Sequence, residues 1–160
     1  MLYSIWIAAT LGEQGGFLAV HERIRFINHK KRQILLVDFS RCSAVEVEEI
    51  ARAVPETVTA QPRGSVLLLA DFTGALFDHE ALRAMKESAV FDKPYIIKSA
   101  WVGAENLPPA FERNLKAFSR REFTTFKTCQ EALNWLVRDS ITGEGTVAQR
   151  KMVNRDGGSS

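Results

Sequence analysis

Residues 34–42 read ILLVDFSRC, and residues 66–75 read VLLLADFTGA. Each is an unbroken aliphatic run, then Asp-Phe, then a small hydroxyl residue. A strand with one wet face alternates apolar and polar residues. A run without alternation marks a strand buried on both faces, as in a parallel sheet covered by helices. The punctuation that follows has a local explanation. A carboxylate and a hydroxyl at a strand end can take up backbone donors that the ladder no longer uses. Asp38 with Ser40, and Asp71 with Thr73, then form two copies of one loop device, while Phe39 and Phe72 turn back into the core.

Working outward, "RIRFI" before the first run places Ile24 and Phe26 in alternation with Arg25 and Ile27, and the polar turn "NHKKR" separates it from Ile34. That pattern predicts an antiparallel hairpin. After Asp38 the rhythm becomes helical. Ser43 and Glu46 have capping-box spacing, and Val47, Ile50, Ala51 and Val54 fall on one helical face. Pro55 is expected to kink that helix or begin a new turn. The unit repeats: Asp78 is an N-cap for a helix carrying Leu82, Met85 and Ala89, and "YIIKSAWVG" at 95–103 is a third buried strand. "LPPAFERNLKAF" opens with prolines suited to a first helical turn, and "EFTTF" is a shorter strand. Thr128 and Glu131 repeat the capping-box spacing before a closing helix.

The expected fold is α/β: a mostly parallel central sheet with an N-terminal antiparallel hairpin and about four helices. Residues 1–141 read as a single domain, and the Gly-, Ser- and charge-rich stretch 142–160 as a disordered tail. Whether residues 1–20 join the sheet is left open by their pattern. With 160 residues, 46% hydrophobic and 25% charged, the chain can bury a real core. Its net charge of +2 supplies no global field for nucleic acid or an anionic membrane. The apolar start "MLYSIWIAATLG" resembles neither a signal peptide nor a membrane span, which makes a cytoplasmic location the expectation.

Four stretches together, "ILLVDFSRC", "VLLLADFTGALFDHEALRAMKE", "KPYIIKSAWVGA" and "FSRREFTTFKTCQEALNWLV", resemble a bacterial group of STAS-like proteins. These are related to anti-sigma factor antagonists and placed near the CRAL-TRIO lipid-transfer domain. The resemblance covers roughly residues 20–138. It implies a non-enzymatic regulatory or protein-interaction module whose docking surface is formed by the loops after Asp38 and Asp71 and by the start of the Ser43–Val54 helix. Antagonists of this kind are switched off by phosphorylation of a serine in an Asp-Ser-Ser-Gly-like turn, where the added charge abolishes docking. Aligned from Asp38, that region falls at Glu46-Val47-Glu48-Glu49, which has no hydroxyl, so the phosphoserine switch is expected to be missing. Ser40 and Ser43 lie nearby, and Ser43 is accounted for as a cap.

No catalytic constellation assembles from the remaining residues, so the chain is not expected to be an enzyme, nor to carry a metal or cofactor. His21, His29 and His79 lack metal spacing, and "GEQGG" neither follows a strong strand nor opens a helix. Cys42 and Cys129 read as two buried or half-buried thiols; Cys129, at a helix start, is the one whose pKa the helix dipole would lower. Arg113, Lys116 and Arg120 are left mainly for the outer face and end of their helix, where a solvated face is the favoured reading and an anion or protein contact the functional one. Without interleaved aromatics, nucleic acid is not the expected partner. The candidate interaction residues are therefore Asp38, Ser40, Asp71, Thr73, Glu46, Arg113, Lys116 and Arg120. The CRAL-TRIO relationship supplies an alternative, a small apolar ligand or lipid held by Phe72, Phe77, Met85, Phe91 and Trp101. A cavity above about 300 Å³ beside them would mark it. A homodimer through the hairpin's exposed edge strand is a further possibility.

Overall fold

A computed structural model describes residues 19–119 and 123–138. The proposed tail at 142–160 and residues 1–18 lie outside the described residues. A helical turn at 19–23 leads into strand β1 (Ile24–His29), which pairs antiparallel with β2 (Arg32–Asp38). Helix α1 (Ala44–Thr59), β3 (Val66–Asp71), α2 (His79–Asp92), β4 (Ile96–Val102), α3 (Pro109–Ser119), β5 (Phe123–Phe126) and α4 (Cys129–Leu136) follow. The five strands lie in the order β1-β2-β3-β4-β5, and β2 to β5 are parallel. The sequence-based expectation of a mixed α/β sheet with an antiparallel hairpin is met.

The strand order never reverses. Right-handed crossovers that always step in one direction place their helices on one face of the sheet. The larger core is accordingly built from α1, α2 and α3 residues such as Val47, Ala81 and Leu115 against Leu35, Val37, Leu68, Ala70 and Trp101. The opposite face is covered by α4, whose Ala132 and Leu136 pack on Ile34, Leu67, Leu69, Ala100 and Val102. This is why the strand runs lack alternation: β3 is apolar and buried at Val66 through Ala70 because both its faces are covered. A sheet without an order reversal also lacks the crevice that opens where successive crossovers diverge.

The caps lie where their spacing predicts. Ser43 and Glu46 close both bonds of a capping box, at 3.2 Å and 3.1 Å. Asp78 accepts from Ala81 N–H at 2.8 Å. Thr128 accepts from Glu131 N–H at 3.2 Å, which is one of the two bonds of the capping box expected there. Pro55 lies inside α1, which continues through it to Thr59. Val54 and Val58, both buried, hold that last turn against the sheet side, so packing outweighs the missing donor.

Candidate functional site

The echoed Asp-Phe-hydroxyl stretches lie side by side at the carboxyl edge of the parallel strands, where Asp38 and Asp71 are register partners. Asp38 Oδ1 accepts from Ser40 N–H at 2.9 Å and Ser40 Oγ–H at 2.5 Å. Asp71 Oδ1 accepts from Thr73 N–H at 3.0 Å and Thr73 Oγ1–H at 2.6 Å. One turn geometry is thus written twice, each time by a carboxylate that gathers a backbone and a side-chain donor two residues on. Phe39 and Phe72 do turn inward, and their rings stack at 5.0 Å with 7° between planes.

The two loops are tied to each other as well as to themselves. Phe39 N–H donates to Asp71 O, Arg41 N–H to Thr73 O, and Leu76 N–H to Cys42 O, at 2.9, 2.8 and 2.9 Å. Arg23, just before β1, donates through Nη1 to Ser40 O at 2.8 Å and lies 3.7 Å from Asp38 Oδ1. The exit from β4 presses on the same loops. Gly103 has φ +70°, and a Cβ there would stand 2.5 Å from Thr73 N and 2.8 Å from Thr73 Cα. Glycine is required by both conformation and space.

Neither Arg23, Gly103 nor Cys129 is marked as part of this edge by local sequence pattern. Cys129, the first residue of α4, places Sγ 3.6 Å from Asp71 Oδ2. The expected dipole effect is overturned here. Burial first, then the Asp71 carboxylate and its hydrogen bond, push the thiol up to about 11. Burial and the facing carboxylate together outweigh the favourable dipole of the helix start. Cys129 is therefore a protonated donor to the loop, while Cys42 is buried and also shifted upward, chiefly by burial. Among the described residues no group of His, Cys, Asp or Glu is arranged to hold a metal ion.

Beyond this frame two apolar side chains stand in water: Leu76, 65% exposed, on the loop after β3, and Val45, 60% exposed, in the first turn of α1. The Leu76–Cys42 backbone bond brings the two segments together. An open depression of about 390 Å³, lined by Ala104, Glu105, Glu112, Thr125, Phe126 and Lys127, continues the edge past the ends of β4 and β5.

The remaining candidates fall elsewhere. Glu46 is engaged in the capping box, with its carboxyl held below the ordinary value by the Ser43 hydrogen bonds. On α3, Arg113 is exposed, and Lys116 pairs with Glu112 at 3.1 Å; Arg120 lies outside the described residues. Of the five residues of the apolar-pocket alternative, Phe72, Met85 and Trp101 are buried around a cavity of about 50 Å³, room for one or two waters. Phe77 packs on Phe72 at 6.0 Å. Phe91 is not with them. It is 67% exposed and borders an open outer groove of about 310 Å³ between α1 and α2, which the ion-paired Arg52 and Glu87 also line. The five therefore do not form one chamber: three fill the core, one backs it and one faces water.

Comparisons with protein-family models, with curated proteins and with solved structures gave no match.

Proposed function

We propose that this chain is a non-enzymatic regulatory or protein-interaction module of the STAS-like type, and that the carboxyl edge of its sheet is the docking surface. The observation that carries this reading is the exposure of Leu76, on a loop tied down by backbone bonds, and of Val45, in the first turn of α1. Large aliphatic side chains held in water contribute when a partner covers them, at about 25 cal/mol per Å² of apolar surface. Rigid loops reduce the ordering cost of that association. The duplicated Asp turns, Arg23 and Gly103 serve the same end, because each fixes backbone at this edge rather than presenting a reactive group.

The reading includes the absence of a phosphoserine switch. The aligned positions carry Glu46, Glu48 and Glu49, and Glu46 and Glu48 are committed to the Ser43 cap and the Arg52 ion pair. The test is affinity capture with the unmodified chain and with a V45E/L76E variant, followed by binding measurements with the purified captured protein. A stoichiometric partner is expected whose affinity falls at least about tenfold for the variant, in keeping with loss of a central apolar anchor. Equal affinity for both forms would remove the carboxyl edge from the account.

A further inference from the structure

At the opposite, amino edge of the parallel strands, three features coincide that folding alone does not call for. The hairpin turn places Lys30 at φ +47° and Lys31 at φ +67°. Both central positions of such a two-residue turn need left-handed backbone, which Asn-Gly supplies at little cost and two lysines do not. One strand pair further on, Val66 faces Ile96 and Leu67 faces Lys98, so Ile97 is the extra residue of a bulge. The bulge turns it outward to 49% exposure. In the last turn of α2, Phe91 is 67% exposed, and the exposed Lys93 follows the helix end.

These segments are neighbours because β2, β3 and β4 are adjacent and parallel, which sets their starting ends in a row. Gly64 N–H to Pro94 O and Ser65 N–H to Tyr95 O tie the loop before β3 to the turn before β4. Arg63 lies over the Tyr95 ring at 6.0 Å. The exposed acidic groups toward this end are Glu56, in the last turn of α1, and Glu87, one turn before Phe91 and paired with Arg52 and Arg83. Among the described residues Lys30, Lys31 and Lys93 form no ion pair.

We infer that the amino edge, with Lys30, Lys31, Arg63 and Lys93 around the outward side chains of Phe91 and Ile97, docks the protein on an anionic phospholipid surface. The combination is the two-signal one that peripheral attachment requires: cations for the headgroups, and apolar side chains that leave water at the boundary. Three of the four cations are lysines, compact charges on flexible stems, suited to a diffuse anionic surface rather than to bidentate recognition of one group. The outward side chains between them are one Phe and one Ile, while Tyr95 is half-buried against the core beneath Arg63, so no row of exposed rings is offered to bases, which favours lipid over nucleic acid. This inference is independent of the docking surface proposed above, which lies at the other end of the strands. A protein attached in this way would hold Leu76 and Val45 toward water.

The test is cosedimentation of the full chain with phosphatidylcholine vesicles and with vesicles containing about 30% phosphatidylglycerol. Binding is expected only to the anionic vesicles, weakening as salt rises to about 0.5 M. The variant K30N/K31G removes two charges while relieving the turn. It is expected to melt higher yet bind about twentyfold to thirtyfold more weakly, at about fivefold per cation near an anionic surface. F91S and I97S, at solvent-facing positions, are expected to keep the melting temperature and lose about tenfold in binding. Equal binding to both vesicle types, unchanged binding by K30N/K31G, or binding to duplex DNA in place of vesicles would each overturn the inference.

Discussion

Gly103 shows how tightly single residues fix the carboxyl edge. Its φ of +70° and the 2.5 Å approach of a would-be Cβ to Thr73 N leave no room for a side chain, because the obstacle is backbone. Gly103→Ala is expected to destabilise the protein by about 2–4 kcal/mol, from left-handed strain plus overpacking, measured by urea unfolding. Cys129 yields a pH prediction. Its thiol is raised from 9.0 to about 11, so between those values the folded chain retains a proton that the unfolded chain releases. This contribution to stability is complete below pH 9 and is lost as pH climbs toward 11. Asp71→Asn keeps an acceptor for Thr73 but removes the facing charge, and thiolate absorbance should then appear at lower pH. An unchanged titration would show that burial alone sets the shift. The Asp38–Ser40 and Asp71–Thr73 turns were legible in sequence because donor and acceptor are two residues apart. The Asp71–Cys129 contact was not, because its partners are separated by 58 positions and meet only when α4 crosses the sheet.

At the scale of elements, local signals carried most of the outcome. Unbroken aliphatic runs became strands covered on both faces, and Ser43, Asp78 and Thr128 became caps. Ser43→Ala should cost about 1 kcal/mol, seen as a lower midpoint in chemical denaturation, since it removes a capping box at the start of the longest helix described. Pro55 marks the reach of a local breaker rule, to which the burial of Val54 and Val58 around it is invisible. The hairpin was legible, but its backbone cost was not: nothing in "HKKR" announces two left-handed lysines. Lys31→Gly should raise stability by about 1 kcal/mol in a thermal melt. The Ile97 bulge was equally hidden, because an apolar residue in a buried run reads as inward, and only the register between β3 and β4 turns it out.

Across the whole molecule, the direction of the helices organises the charge. All four helices described run back from the carboxyl edge, and each carries a Glu in its first turn: Glu46, Glu80, Glu112 and Glu131. Lys30, Lys31, Arg63 and Lys93 collect at the other end. The net charge of +2 does not display this uneven placement of first-turn glutamates and amino-edge lysines. The same asymmetry separates the proposed protein-docking edge from the proposed lipid-facing one. Between them the core is filled. Phe72 contacts Phe39, Phe77 and Trp101, and Trp101 meets Phe123 at 4.2 Å, leaving only about 50 Å³ unfilled. The central claim is that this domain works through its two edges and not by carrying a molecule inside. Native mass spectrometry of the protein purified from a bacterial host tests it most directly, by comparison with a denatured sample. The account predicts that the native chain retains no small molecule that denaturation releases. An apolar compound retained in the native sample and lost on denaturation would contradict it, and would place the ligand-carrying alternative first.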